Sequence, residues 1–104
     1  MQDDFVWDER LGILVPNLYK SWEKYDTSTQ EAIMLHWEKI RGRIPDRIGE
    51  IEETINELQD QLSTEERFEV SCELNNKIAS LASVINDLWL WYRLNQSITS
   101  KAHD

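Results

Sequence analysis

The sequence predicts an all-α fold: an antiparallel helical hairpin of coiled-coil type, with N-terminal helices packed on it to make a small bundle. Three observations predict it. Two long apolar stripes run at helical spacing, a short polar break separates them, and capping residues stand ahead of the periodic segments. At 104 residues the chain suits one domain spanning 1–104.

The first 27 residues read as an arm. Pro16-Asn17 precedes Leu18, Trp22 and Tyr25, whose spacing suits a short helix ending before Asp26-Thr27. Ahead of it, "FVWDERLGILV" mixes a helical turn capped by Asp4 with an apolar run broken by Gly12. A lone strand there would have no partner, so the arm is expected in irregular or short-helical form.

Ser28-Thr29-Gln30-Glu31 is a capping box, launching a helix over 28–42 with Ile33, Trp37 and Ile40 on one face. Gly42 can end that helix in the left-handed conformation, and Pro45 suits the first turn of the next. Arg41 and Arg43 then fall at a C-terminus and Asp46 at an N-terminus, each opposing the helix dipole. One kinked helix is the alternative, because the step from Ile40 to Ile44 to Ile48 keeps the apolar face nearly continuous.

Residues 45–62 form the first arm of the hairpin. Ile44, Ile48, Ile51, Ile55, Leu58 and Leu62 repeat at steps of four and three, a heptad stripe about 27 Å long at 1.5 Å per residue. Ser63-Thr64-Glu65-Glu66 is a second capping box where that stripe stops. The second arm, 64–96, carries Val70, Leu74, Ile78, Leu81, Ile85, Leu88 and Tyr92. Two stripes joined so closely must fold back on one another, since neither buries its apolar face alone. Leu62 is expected near Phe68 or Val70, Ile51 near Ile78, and Ile44 near Leu88. Residues 97–104 read as a flexible tail.

"LWLWY", Leu88 to Tyr92, is apolar all round and needs covering. Phe5, Trp7, Leu18 and Trp22 of the arm, with Trp37, are the expected cover; an exposed aromatic docking patch at Trp89 and Trp91 is the alternative. Asn75, Ala79, Ala82 and Asn86 recur beside the main stripe, with Trp89 continuing the series. Small residues at that spacing admit another helix. If the chain's own N-terminal helices leave the seam open, two hairpins can pair as a homodimer.

Charge limits the partners. The net charge is −9, and Glu50 to Glu73 holds nine acidic residues against one basic residue, Arg67. Such a field repels phosphate backbones, so direct nucleic-acid binding is not expected. No apolar run reaches the roughly 20 residues that cross a bilayer, the start Met1-Gln2-Asp3-Asp4 is acidic where a secretory signal is basic, and the helices lack a basic polar face for a membrane surface. The lone Cys72 fits a reducing compartment, and a cytoplasmic location is expected.

Chemistry is sparse. His36 lies beside Trp37 with no nucleophile at helical spacing, and His103 sits near the C-terminus. The Glu-x-x-His pattern of di-metal bundles is missing, Gly12, Gly42 and Gly49 are isolated, and Cys72 stands among Glu69, Glu73 and Asn75 with no basic neighbour in sequence. No catalytic group, cofactor or metal is expected. The sequence therefore favours a non-enzymatic interaction or regulatory module with a protein partner, an adaptor or inhibitor. Its docking surface would be the junction Trp37, Arg41, Arg43 and Arg47 with the aromatics Trp89 and Trp91, or the acidic face Glu50, Glu53, Glu57, Glu69 and Glu73. The alternative is a ligand- or metal-binding bundle with weak enzymatic activity, needing a pocket between the arm and the aromatic end on which His36 and a carboxylate converge.

Overall fold

The structure, a computed structural model, describes residues 4–103, with side chains described for 4–93. Chain order is β1 (Phe5–Asp8), β2 (Ile13–Pro16), a single 3-10 turn (Trp22–Lys24), α1 (Thr27–Arg41), α2 (Ile44–Thr64) and α3 (Phe68–His103). The molecule is mostly helical, yet its N-terminal arm is an antiparallel two-stranded hairpin, which corrects the expectation of an irregular or helical arm.

That hairpin makes its own turn. Asp8 accepts a hydrogen bond from the Leu11 N–H through Oδ1 at 2.9 Å, and its carbonyl accepts from the Gly12 N–H at 2.7 Å. Gly12 closes the loop at φ 75°, a left-handed conformation that side chains resist. The register sets Val6 against Val15 and Trp7 against Leu14. Phe5, Ile13 and Val15 are buried while Val6 and Trp7 are exposed, so the second strand is covered more fully than the first. The short helix expected over Leu18–Tyr25 shrinks to the 3-10 turn. Tyr25 is buried, its hydroxyl donating to Asp4 Oδ1 at 3.4 Å.

Helix α1 starts one step before the Ser28 box. Asp26 is the N-cap, accepting from the Thr29 N–H at 2.9 Å. The helix ends at Arg41, four residues before Pro45, whose ring cannot pass the carbonyl at that position. Gly42 and Arg43 nevertheless keep right-handed backbone angles (φ −62° and −91°), and the Arg47 N–H donates to the Arg43 carbonyl at 3.1 Å. Residues 27–64 are thus one bent helical path, the kinked alternative, and Gly42 does not take the left-handed cap conformation.

Helices α2 and α3 pack together over a three-residue turn. The second capping box is not used: α2 runs to Thr64, and the Ser63 hydroxyl donates back to the Asp60 carbonyl at 2.7 Å. Ile44, Ile48 and Ile51 share a core with Val84 and Leu88, so the start of α2 meets the far part of α3. Phe5, Leu11, Ile13 and Val15 of the arm and Ile33 and Trp37 of α1 complete that core. It sits at one end of the molecule. Towards the turn, Ile55, Leu58, Leu62, Val70 and Ile78 are only half-buried, and Phe68 is 73% exposed, so it does not close against Leu62. The α3 backbone continues past residue 96 to His103, a stretch free of glycine and proline. The His103 side chain lies outside the described ones.

Candidate functional site

The bend between α1 and α2 opens a groove on the side where the β-hairpin lies. Trp7, Gly12, Ile13 and Leu14 line it from the hairpin, and His36, Lys39, Ile40, Arg43, Asp46, Arg47 and Glu50 from the helices. Its volume is about 610 Å³. His36, Lys39, Arg43 and Arg47 stand at steps of three, four and four, so they share the inner side of the bent helix.

These groups are not equivalent. Arg47 is committed to the fold: its Nε–H donates to the Leu11 carbonyl at 2.9 Å, and its guanidinium pairs with Glu50 at 3.2 Å. A Cβ added at Gly12 would stand 2.7 Å from Arg47 Nε, so the glycine also makes room for this clasp between hairpin and α2. Lys39 and Arg43 are exposed, and neither forms an ion pair among the described residues. Like charges four residues apart on a helix repel, so this pair gains from an anion laid across it. Asp46 is the one lining carboxylate without an ion pair among the described residues. Trp7, 57% exposed, gives the groove an apolar rim. His36 stacks edge-on with Phe5 at 4.4 Å, and its Nδ1 is buried without a hydrogen-bond partner.

The expected docking residues separate accordingly. Trp37 is wholly buried and 5.8 Å from Trp91, edge to face, so it belongs to the core rather than to a docking surface. Arg41 turns away from the groove. It pairs with Glu38 at 3.1 Å, donates to the Tyr92 carbonyl at 3.4 Å and lies 4.7 Å over the Tyr92 ring. The Glu38 hydrogen bond, opposed by burial, raises its pKa and holds its charge. Arg43 and Arg47 reach the groove, and Arg43 alone of the predicted cations is free to meet a ligand. Trp91 is half-buried, whereas Trp89 is 39% exposed, edge-on to Tyr92 at 5.4 Å, and Leu90 beside it is 54% exposed. The arm covers the aromatic end only in part. Glu50, Glu53, Glu57, Glu69 and Glu73 are all exposed, and Glu50 is held by Arg47.

Trp7 was expected to cover the aromatic end, and Lys39 stood outside the expected docking surface. Lys39 carried a signal, since it stands four residues before Arg43; Trp7 carried none until the strands were paired. Among the described residues no group of three or more His, Cys, Asp or Glu side chains gathers where it could hold a metal ion, and no helix is long and apolar enough to cross a membrane. Comparison with known families, curated proteins and solved structures finds no match to this chain.

Proposed function

We propose that this chain is a non-enzymatic interaction module of the cytoplasm, an adaptor or inhibitor that holds an acidic segment of a partner protein in the groove at the α1–α2 bend. One observation carries the reading: Lys39 and Arg43 stand side by side, without ion pairs among the described residues, beside an exposed Trp7, in a chain whose net charge is −9. A carboxylate on the incoming segment relieves the repulsion between the two cations. An apolar side chain next to it covers Trp7, Leu14 and Ile40. The surrounding acidic surface turns phosphate backbones away, so nucleic acid is not the ligand. Self-association through the outer face of α3 belongs to the same reading.

The test is capture of partners from cells by the wild-type chain and by the double variant Lys39→Glu/Arg43→Glu. Both positions are exposed, so the variant keeps its fold, verified by circular dichroism. The reading expects the variant to lose its partner and wild-type binding to weaken as salt rises. A partner retained by the variant at undiminished strength contradicts it.

A second reading takes the same groove as a small-molecule site, favoured by its volume, which falls in the range of ligand pockets, and by His36 and Asp46 in its lining. A ligand bound only to the native state raises its stability by mass action. Thermal shift against a metabolite panel separates the two readings: a rise that Lys39→Glu/Arg43→Glu abolishes supports the small ligand, and no rise removes it.

A further inference from the structure

Helix α3 carries two heptad stripes, not one. The first, with Leu74, Leu81 and Leu88, packs on α2 and the core. The second lies one residue further on, about 100° round the helix. It comprises Phe68, Cys72, Asn75, Ala79, Ala82, Asn86, Trp89 and Arg93, spaced alternately by four and three. Every one of these eight residues is exposed. The arm and α1, which might have filled this seam, lie elsewhere: Arg10 of the hairpin turn reaches α3 at Ser83 and Asp87, to one side of it. Phe68 at 73% and Trp89 at 39% exposure are two of the large apolar side chains left in water, and Leu90 at 54% stands next to Trp89.

The order of residues along this stripe says what covers it. Read from the two ends inward, Phe68 answers Arg93, Cys72 answers Trp89, Asn75 answers Asn86, and Ala79 answers Ala82. A twofold axis between Ala79 and Ala82 therefore sets alanine against alanine and asparagine against asparagine, with Cys72 under Trp89 and Phe68 beside Arg93 in the outer layers. We propose that α3 pairs antiparallel with α3 of a second copy of this chain, about a twofold axis at the level of residues 80–81. The two alanine layers at the centre let the helix axes approach to roughly 8 Å. Asn75 of each copy meets Asn86 of the other, a polar pair that fixes register and direction. Each Trp89 closes over the small Cys72 opposite, and each Arg93 guanidinium reaches the Phe68 ring opposite. The paired stretch is about 38 Å long.

Charge selects a second copy over a basic partner. The stripe holds no acidic residue and one cation, Arg93, whereas the chain as a whole carries −9. A basic partner would be drawn to the glutamates of α2. Two like copies, each strongly anionic, associate best through the one long helix face that lacks acid, with both acidic faces directed elsewhere. Screening that mutual repulsion with salt strengthens this contact, the opposite of its effect on an acidic ligand in the groove.

This inference rests on reading the chain as an interaction module, but it fails or stands by separate variants. Sedimentation equilibrium of the full chain over a range of concentrations reads the dimer, and Ala79→Glu/Ala82→Glu is expected to make it monomeric with unchanged helical circular dichroism, both sites being exposed. Direction is read by cross-linking under mild oxidation. In the antiparallel register the two native Cys72 residues stand about 25 Å apart along the axis, far beyond disulfide reach. Trp89→Cys sets a new thiol opposite each Cys72. It is expected to yield a covalent dimer on a non-reducing gel, which the wild type and Cys72→Ser/Trp89→Cys do not. A wild-type chain that stays monomeric, a dimer that survives Ala79→Glu/Ala82→Glu, ready cross-linking of wild-type Cys72 or failure of Trp89→Cys to cross-link each overturns the proposal. Loss of the dimer leaves the groove reading standing, since Lys39→Glu/Arg43→Glu tests that alone.

Discussion

Gly12 does two jobs that no other residue can share. It holds φ at 75° to close the β-turn, and its missing Cβ leaves space for Arg47 to reach the Leu11 carbonyl. Gly12→Ala is expected to destabilise the fold by about 1–2 kcal/mol through backbone strain alone, with displacement of Arg47 added. Chemical denaturation measures it, and an unchanged midpoint would refute the clasp. Asp26 gives a pH signature. Its side-chain and backbone hydrogen bonds to Thr29 lower its pKa below the ordinary carboxylate value. The unfolded chain therefore binds this proton first as pH falls. The stabilisation from the cap is complete above the ordinary value and disappears as pH drops through the folded one. Asp26→Asn, which keeps a capping oxygen, should lower the melting temperature at pH 7 and converge with the wild type in acid. Trp37, wholly buried at the centre of the core, should lose about 3–5 kcal/mol on change to alanine, enough to threaten the fold.

Elements were legible in the sequence in proportion to how local their signal is. The stripes over Ile44–Leu62 and Val70–Tyr92 are long and periodic, and both are helices that pack together as read. The β-hairpin was not read, because each strand is only four residues long and has no meaning without its partner. The available clue was Asp8 and Gly12 bracketing a short turn between the apolar runs "FVW" and "ILV". The capping boxes misplaced two helix boundaries, since Asp26 caps α1 earlier and the Ser63 hydroxyl bonds back to the Asp60 carbonyl within α2. Half of the groove was legible for the same reason: Arg43 and Arg47 lie on a continuous helix, while Trp7 arrives from a strand. Pro45 sets the bend by excluding the Arg41 carbonyl from its normal bond. Pro45→Ala should lengthen the helical path and narrow the groove with a stability change within about 0.5 kcal/mol, visible as raised helical circular dichroism. Ile51→Asp should exceed about 4 kcal/mol and unfold the chain, and Ile78→Asp should cost less, because Ile78 is half-buried where Ile51 is 3% exposed.

The whole molecule is elongated, 59 × 22 × 20 Å, with a radius of gyration of 17.9 Å where a compact chain of this size would have about 13 Å. Its core is gathered at the bent end, and the remainder is a two-helix rod whose inner stripe is partly covered and whose outer stripe is open. The shape suits a chain with two places of engagement: a cationic groove at the bend and an acid-free face along α3. Side-by-side measurement of partner capture and oligomeric state tests this division most directly, using the wild type, Lys39→Glu/Arg43→Glu and Ala79→Glu/Ala82→Glu. The groove variant is expected to stay dimeric without its partner, and the α3 variant to become monomeric and still bind. Full partner capture by the groove variant, or an undisturbed dimer in the α3 variant, would contradict that division.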